Sequence, residues 1–183
     1  MKPRTPRLLE KYRTEIAPAL RKQFGYKNSM AVPRIMKVVV NVGVGRMAKD
    51  TKFIEKVEHD IMHITGQKPS RRVATKSIAG FKLREGMQVG VAVTLRATRM
   101  YDFIDRLIAV ALPRARDFHG LKPTSIDATG NLNMGIREQN IFPEVTYESL
   151  KDIFSLQVTI TTTAKTRKEG EALFRLLGFP LAV

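Results

Sequence analysis

Lys68, Arg71, Arg72, Lys76, Lys82 and Arg84 fall within Gly66–Gly86, GQKPSRRVATKSIAGFKLREG, against a single acid, Glu85. Cations at such irregular spacing suit phosphate, because each is a point charge able to displace a counterion from a polyanion. Gly80 and Gly86 leave backbone N–H groups open to close approach, and Phe81 is an aromatic that can stack on a base. The apolar residues Val73, Ile78, Phe81 and Leu83 keep no helical period, and Pro69, Gly80 and Gly86 interrupt the run. The stretch therefore reads as a basic arm, although a solvated loop between two ordered elements has the same composition. Six cations cannot be buried unpaired without a large penalty. The middle of the arm, residues 74–84, is thus expected to be mobile alone and ordered beside nucleic acid, with Gly80 permitting the turn and Phe81 at the tip.

Two other groupings invite a chemical reading. Gly43-x-Gly45-x-x-Ala48 has the dinucleotide-binding pattern after an apolar run. The following helix, however, is expected to start at Asp50 rather than inside the motif. The next acids, Glu55, Glu58 and Asp60, sit within that helix instead of closing a second strand. His59 and His63 lie one turn apart, as zinc ligands can, but His119 is the only other histidine and the chain has no cysteine. No Ser–His–acid grouping, paired carboxylates or Walker-type loop is present. The expectation is no enzyme, no metal and no cofactor.

The charge balance favours a polyanionic partner. The net charge is +15 in 183 residues. Residues 1–60 hold 14 basic and 6 acidic side chains, residues 61–100 hold 8 and 1, and residues 101–183 hold 10 and 10. The excess is confined to the first hundred residues, as an electrostatic footprint would be. The absence of cysteine suits a reducing compartment, and no apolar run reaches the length needed to span a bilayer. A soluble cytoplasmic protein without membrane attachment is expected.

The elements that must carry these residues follow from periodicity. Thr5 caps a first helix with Pro6 at its first position, and Gly25 ends it. Pro18 should kink or divide this helix, whose basic face is Arg4, Arg7, Lys11, Arg13, Arg21 and Lys22. Arg34–Val44 is a strand, with Met36, Val38, Val40, Val42 and Val44 inward and Lys37, Val39, Asn41 and Gly43 outward. A helix over residues 50–65 stops at Gly66. Met87–Arg96 is a second strand, with Gln88, Gly90, Ala92, Thr94 and Arg96 outward. Thr98 caps a helix that Pro113 closes. Asn131–Ile136 and Ser155–Thr163 are strands, and Thr166-x-x-Glu169 opens a last helix. Residues 137–148 form a loop with exposed Ile141, Phe142 and Pro143, a pattern that suits a protein contact. The fold class is α+β, a single RNA-binding domain over residues 1–183. It has a mostly antiparallel sheet of about five strands with helices on one face, resembling an RNA-recognition topology. No aromatic pair stands on the outward face of the central strands, so shape and phosphate recognition are expected rather than base stacking on the sheet.

Ile61–Ser77 (IMHITGQKPSRRVATKS) resembles the signature of the bacterial large-subunit ribosomal proteins that bind 5S rRNA, the fifth family in that subunit's numbering. VVVNVGVG at residues 38–45, LPRARDFHG at 112–120, GIREQNIFPEV at 135–145 and the ending LFRLLGFP resemble it too, in order and with unbroken spacing. The resemblance implies a structural protein of the central protuberance that attaches 5S rRNA to the large-subunit rRNA. It also implies an arm reaching toward peptidyl-site tRNA and a contact with a small-subunit head protein across an intersubunit bridge. On this reading Arg21, Lys22, Lys37, Asn41, Lys68, Arg71, Arg72, Thr94, Arg96 and Arg99 meet rRNA. Lys76, Ser77, Gly80, Phe81, Lys82 and Arg84 meet tRNA, and Arg137, Gln139, Ile141, Phe142 and Pro143 meet protein. Another basic cytoplasmic RNA-binding module, or a dinucleotide enzyme, stays open as an alternative.

Overall fold

Val38, Val40, Val42 and Val44 are all buried in a computed structural model of the chain, while Asn41 and Gly43 between them are exposed. This alternation is what a strand with one covered face requires. The structure describes every residue except 1–4, 48–49, 117, 146–152 and 183. Arg4, Ala48 of the glycine motif and the end of the 137–148 loop thus lie outside the described residues. The fold is α+β with a five-stranded antiparallel open sheet. Its strands are β1 Ile35–Gly43, β2 Ser70–Val73, β3 Gln88–Leu95, β4 Leu132–Ile136 and β5 Leu156–Thr162, in the order β2-β3-β1-β5-β4. The helices are α1 Arg7–Lys11, α2 Ala17–Phe24, α3 Thr51–Thr65, α4 Ala97–Arg106, α5 Leu112–Arg114 and α6 Arg167–Leu177. The chain divides into two compact units: residues 1–38, 95–134 and 159–183 in one, and residues 39–94 and 135–158 in the other.

In the first unit, two prolines each follow a π turn. Residues Tyr12–Ile16 form a π turn that runs from α1 into α2, and Leu107–Ala111 form another between α4 and α5. Pro18 and Pro113 each stand two residues beyond such a turn. A proline lacks the N–H, and its ring clashes with the carbonyl four residues back. Widening the preceding turn relieves this: the Ala17 N–H reaches back to the Tyr12 carbonyl, and the Leu112 N–H to that of Leu107. Pro18 thus stands in the first turn of α2, past the π turn that divides it from α1, and the helical run that holds Pro113 ends one residue later, at Arg114. Two caps also differ. Pro6, not Thr5, precedes α1, its carbonyl accepting from the N–H groups of Leu9 and Glu10 at 3.1 Å. Arg96 precedes α4 without a side-chain cap, and Ala97, not Thr98, begins it in the left-handed region at φ +50°. Met36 is exposed and Ile35 buried, so the β1 alternation slips by one at its start.

The entry to β4 is held by one carboxylate. Asp127 Oδ1 accepts from the Thr129 N–H and hydroxyl at 2.9 Å and from the Asn131 N–H at 2.8 Å. Its Oδ2 accepts from Asn131 Nδ2 at 2.9 Å, and Asn131 Oδ1 in turn accepts the Thr162 N–H at 2.9 Å, tying the turn to the end of β5. Burial pushes the Asp127 carboxyl up, but the bonds from Asn131 and Thr129 outweigh it and hold the pKa below the usual carboxylate value. A carboxyl depressed in the folded state adds stability above its unfolded pKa of about 3.9, and loses it as pH falls through the lower folded value. Asp127→Asn should therefore lower the thermal midpoint at pH 7 and flatten its decline between about pH 4 and pH 2. Parallel acid melts of the two proteins with superimposable slopes would rule out this contribution.

In the second unit, α3 buries Ile54, Val57, Ile61 and Ile64. Asp50 Oδ1 caps it by accepting the Phe53 N–H at 3.1 Å, and Gly66 closes it at φ +67°. The fifth strand, β2, lies inside the basic stretch, where the sequence placed none. All four of its residues are exposed, so no inward apolar alternation announces it. The backbone ladder to β3 holds it, pairing Ser70 with Ala92, Arg71 with Val91 and Arg72 with Gly90 before a register shift at Val73.

Candidate nucleic-acid interface

Strand parity separates the two arginines of β2. Arg72 faces Gly90 across the ladder: a Cβ placed on Gly90 would stand 3.6 Å from Arg72 Cβ and 3.9 Å from Asn41 Oδ1. Asn41 on β1, Gly90 on β3 and Arg72 on β2 thus form a row on one face, with Gly90 itself buried between its exposed neighbours. Asn41 and Arg72 are exposed, Lys37 and Thr94 half-buried, and Ala92 is covered by its neighbours. Arg71 points away from this row. Its Nε and Nη2 donate to the two carboxylate oxygens of Glu58 on α3, the second at 3.0 Å. That bond and the Glu58 charge raise its pKa. The Arg71 charge is matched within the fold, which the sequence could not reveal because Glu58 stands 13 residues away on another element.

Beyond β2 the arm closes on itself as a hairpin. The Ala74 N–H donates to the Met87 carbonyl at 2.8 Å and the Gly86 N–H to the Ala74 carbonyl at 3.0 Å, forming a stem. Further out, Ile78 and Leu83 exchange N–H···O bonds at 3.0 and 3.2 Å, and the Glu85 N–H donates to Ser77 Oγ. Phe81 stands at the tip, 75% exposed. The left-handed residue of the turn is Lys82 at φ +53°, not Gly80. The arm proper therefore spans 74–87, while Lys68 lies exposed in the preceding turn.

In the first unit, Arg21 and Lys22 project from α2 into solvent. Arg21 donates from Nε to the Tyr26 carbonyl and from Nη2 to the Lys27 carbonyl, both at 3.1 Å, which fixes the guanidinium. Arg96 and Arg99 are exposed at the start of α4.

The loop after β4 corrects one expectation. Ile141 and Phe142 are buried at 5% and 2% exposure, and Gln139 is fully buried with its Oε1 accepting the Phe154 N–H at 2.9 Å. Hydrophobic side chains without a period looked exposed in sequence, yet a short turn at Gln139–Ile141 rotates them into the core. Arg137 and Pro143 are the expected protein-contact residues of this loop whose side chains remain exposed.

The glycine motif does not cradle a ligand at a helix start. Gly43 ends β1, Gly45–Met47 form a short 3-10 turn, and α3 begins only at Thr51. His59 and His63 pack ring to ring at 4.1 Å, with His63 Nδ1 bonded to the His59 carbonyl at 2.8 Å.

Comparison with known proteins gives this geometry its context. Residues 28–84 match the family described as ribosomal protein L5, and residues 88–181 match the model of that ribosomal family's C-terminus. A large ribosomal subunit protein uL5 of Rubrobacter xylanophilus is 53% identical over 95% of this chain and 97% of the relative. The uL5 protein of Caldanaerobacter subterraneus is 51% identical over 96% and 98%. The chain belongs to the uL5 family of large ribosomal subunit proteins. It is a structural protein of the large subunit, ribosome-bound in the cytoplasm, and not an enzyme. The dinucleotide reading is thereby set aside.

Proposed function

We propose that this protein binds 5S rRNA and attaches it to large-subunit rRNA in the central protuberance. In the same reading the arm 74–87 contacts peptidyl-site tRNA, and Arg137 and Pro143 meet a small-subunit head protein across the intersubunit bridge. The observation that carries the rRNA part is the row Arg72–Gly90–Asn41 of the second unit. Its exposed guanidinium and amide stand side by side, in the half of the chain that holds the charge excess. Such a surface suits phosphate and sugar contacts rather than stacking. The arm differs in kind: its exposed Phe81 offers a flat ring between the cations Lys76, Lys82 and Arg84.

The test is a salt titration of 5S rRNA binding by the full chain. Each cation that neutralises one phosphate contributes about 0.7–0.9 of a unit to the slope of log K against log salt. Lys37→Gln, Arg72→Gln and Arg96→Gln should each flatten the slope by about that amount. Arg71→Gln should leave it unchanged, because Glu58 already neutralises that charge. A slope unaltered by Lys37→Gln and Arg72→Gln removes the sheet face from the binding surface, one unaltered by Arg96→Gln removes the start of α4, and no affinity for 5S rRNA at low salt removes the 5S assignment.

A further inference from the structure

Apart from the sheet face and the arm, the first unit holds a basic pocket of about 670 Å³, within the size range of pockets that enclose small ligands. It forms where the chain turns back at Gly25, φ +68°, so that residues 25–32 run past α2. Its wall is apolar, with Ala17, Pro18 and the buried Val32, while Tyr26 and Ser29 complete the lining. Arg13, Arg21, Lys22 and Lys27 also line it, and among the described residues no acidic side chain does, although Glu169 meets the hydroxyl of Tyr26 at its border. Lys27 carries no periodic signal in the sequence; only the turn at Gly25 brings it opposite α2.

Two features distinguish this pocket from a solvated basic face. First, Arg21 is pre-oriented. Two of its five N–H groups are held by the carbonyls of Tyr26 and Lys27, so the others point in a fixed direction with little entropy left to lose on binding. Second, the cations border an apolar cleft. A bare phosphate has no use for the cleft, and an apolar ligand none for four cations. The combination asks for a flat, largely apolar group covalently joined to an anion. A base with its phosphate is such a ligand, and unstacked bases of RNA loops are recognised in this way.

We propose that this pocket receives one unstacked nucleotide of an RNA strand, its base against Ala17, Pro18 and Val32 and its phosphate on Arg21, with Lys22 and Lys27 adding charge. The proposal rests on the RNA-binding reading above and adds to it a position where a base leaves its stack. It makes α2 a reader of RNA shape, sensing whether a base is free to swing out.

The test uses the full chain and a single-stranded octaribonucleotide with a central 2-aminopurine, alongside 5S rRNA. Ala17→Phe fills the cleft from α2, and Ser29→Phe fills it from the exposed rim, where folding is safest. Both should weaken octamer binding about tenfold or more without changing the salt slope, as expected when an uncharged base contact is lost and the phosphate contacts remain. Lys22→Gln and Lys27→Gln should instead lower the slope, by about 0.7 of a unit each. With the unaltered protein, AMP should compete with the octamer and inorganic phosphate at equal concentration should not. If both fillers fold, by circular dichroism, and bind like the unaltered protein, the pocket takes no base while the RNA-binding reading stands. Competition by phosphate equal to that by AMP likewise overturns the nucleotide assignment. Failure of the unaltered protein to bind either RNA overturns both readings together.

Discussion

Gly170→Ala should destabilise the fold by roughly 3 kcal/mol or more, although alanine is ordinarily the better helix former by about 1 kcal/mol. Gly170 lies in the first half of α6, where its Cα meets Gly130 in the turn before β4. A Cβ at residue 170 would stand 2.5 Å from Gly130 Cα and 2.6 Å from Gly130 O. Both atoms are backbone, so no rotamer change relieves the overlap; either the helix or the turn must move. The turn is poorly placed to do so, because Asp127 and Asn131 fasten it on either side of Gly130. The contact is tight from the other side as well. Gly130 has φ +79°, and a Cβ there would come within 2.7 Å of Ala164 Cβ and 2.9 Å of the Thr166 carbonyl oxygen. Gly130→Ala therefore combines steric overlap with backbone strain. For a chain of this size the loss corresponds to a fall of roughly 6–12 °C in Tm. Thermal melts decide it: a Tm raised by Gly170→Ala would mean that helix propensity governs this position and that the two segments separate easily.

That contact also marks where sequence reading stops. Glycines 25, 66 and 178 were legible because each follows an amphipathic run and ends it in the left-handed region. Glycines 130 and 170 belong together only through the fold, and nothing local pairs them. The same division runs through the site. The valines of β1 declare a covered face, and with it the outward Lys37 and Asn41. β2 declares nothing, since an edge strand of four exposed residues is held by ladder bonds that no side-chain pattern encodes. Arg71 and Arg72 look equivalent in sequence and are not, because parity sends one to Glu58 and the other to the row with Asn41. Ile141 and Phe142 carried a true hydrophobic signal, misread as surface because their segment is too short to show a period. Prolines 18 and 113 were legible as helix punctuation, but not the π turn that opens just ahead of each ring.

The arm permits a sharper experiment than its composition suggested, because its stem and tip are separately bonded. Deleting Ser77–Lys82 removes the Ile78–Leu83 pair and the tip but keeps the bonds that join Ala74 to Gly86 and Met87. The deleted side chains are all exposed, so no buried contact is lost, and shortening a loop changes closure entropy only slightly. Thermal stability and 5S rRNA affinity should remain near those of the full chain. Binding of peptidyl-site tRNA to ribosomes carrying the deletion should weaken about tenfold or more. The lost stacking on Phe81 is worth roughly 1–3 kcal/mol, and a factor of ten corresponds to about 1.4 kcal/mol. Two point changes divide the effect. Phe81→Ala removes the ring and keeps the charge. Lys82→Gly removes one charge while favouring the left-handed backbone that residue 82 already adopts, so any loss it causes is electrostatic. Hydrogen exchange on the free protein then reports whether the tip is formed before it meets RNA. Slow exchange at the Ile78 and Leu83 amides means a preformed hairpin, and fast exchange there, with slow exchange at Ala74 and Gly86, means a stem whose tip orders on contact. If the deletion instead abolishes 5S rRNA binding while peptidyl-site occupancy is unchanged, the arm and the sheet face have exchanged the roles assigned to them.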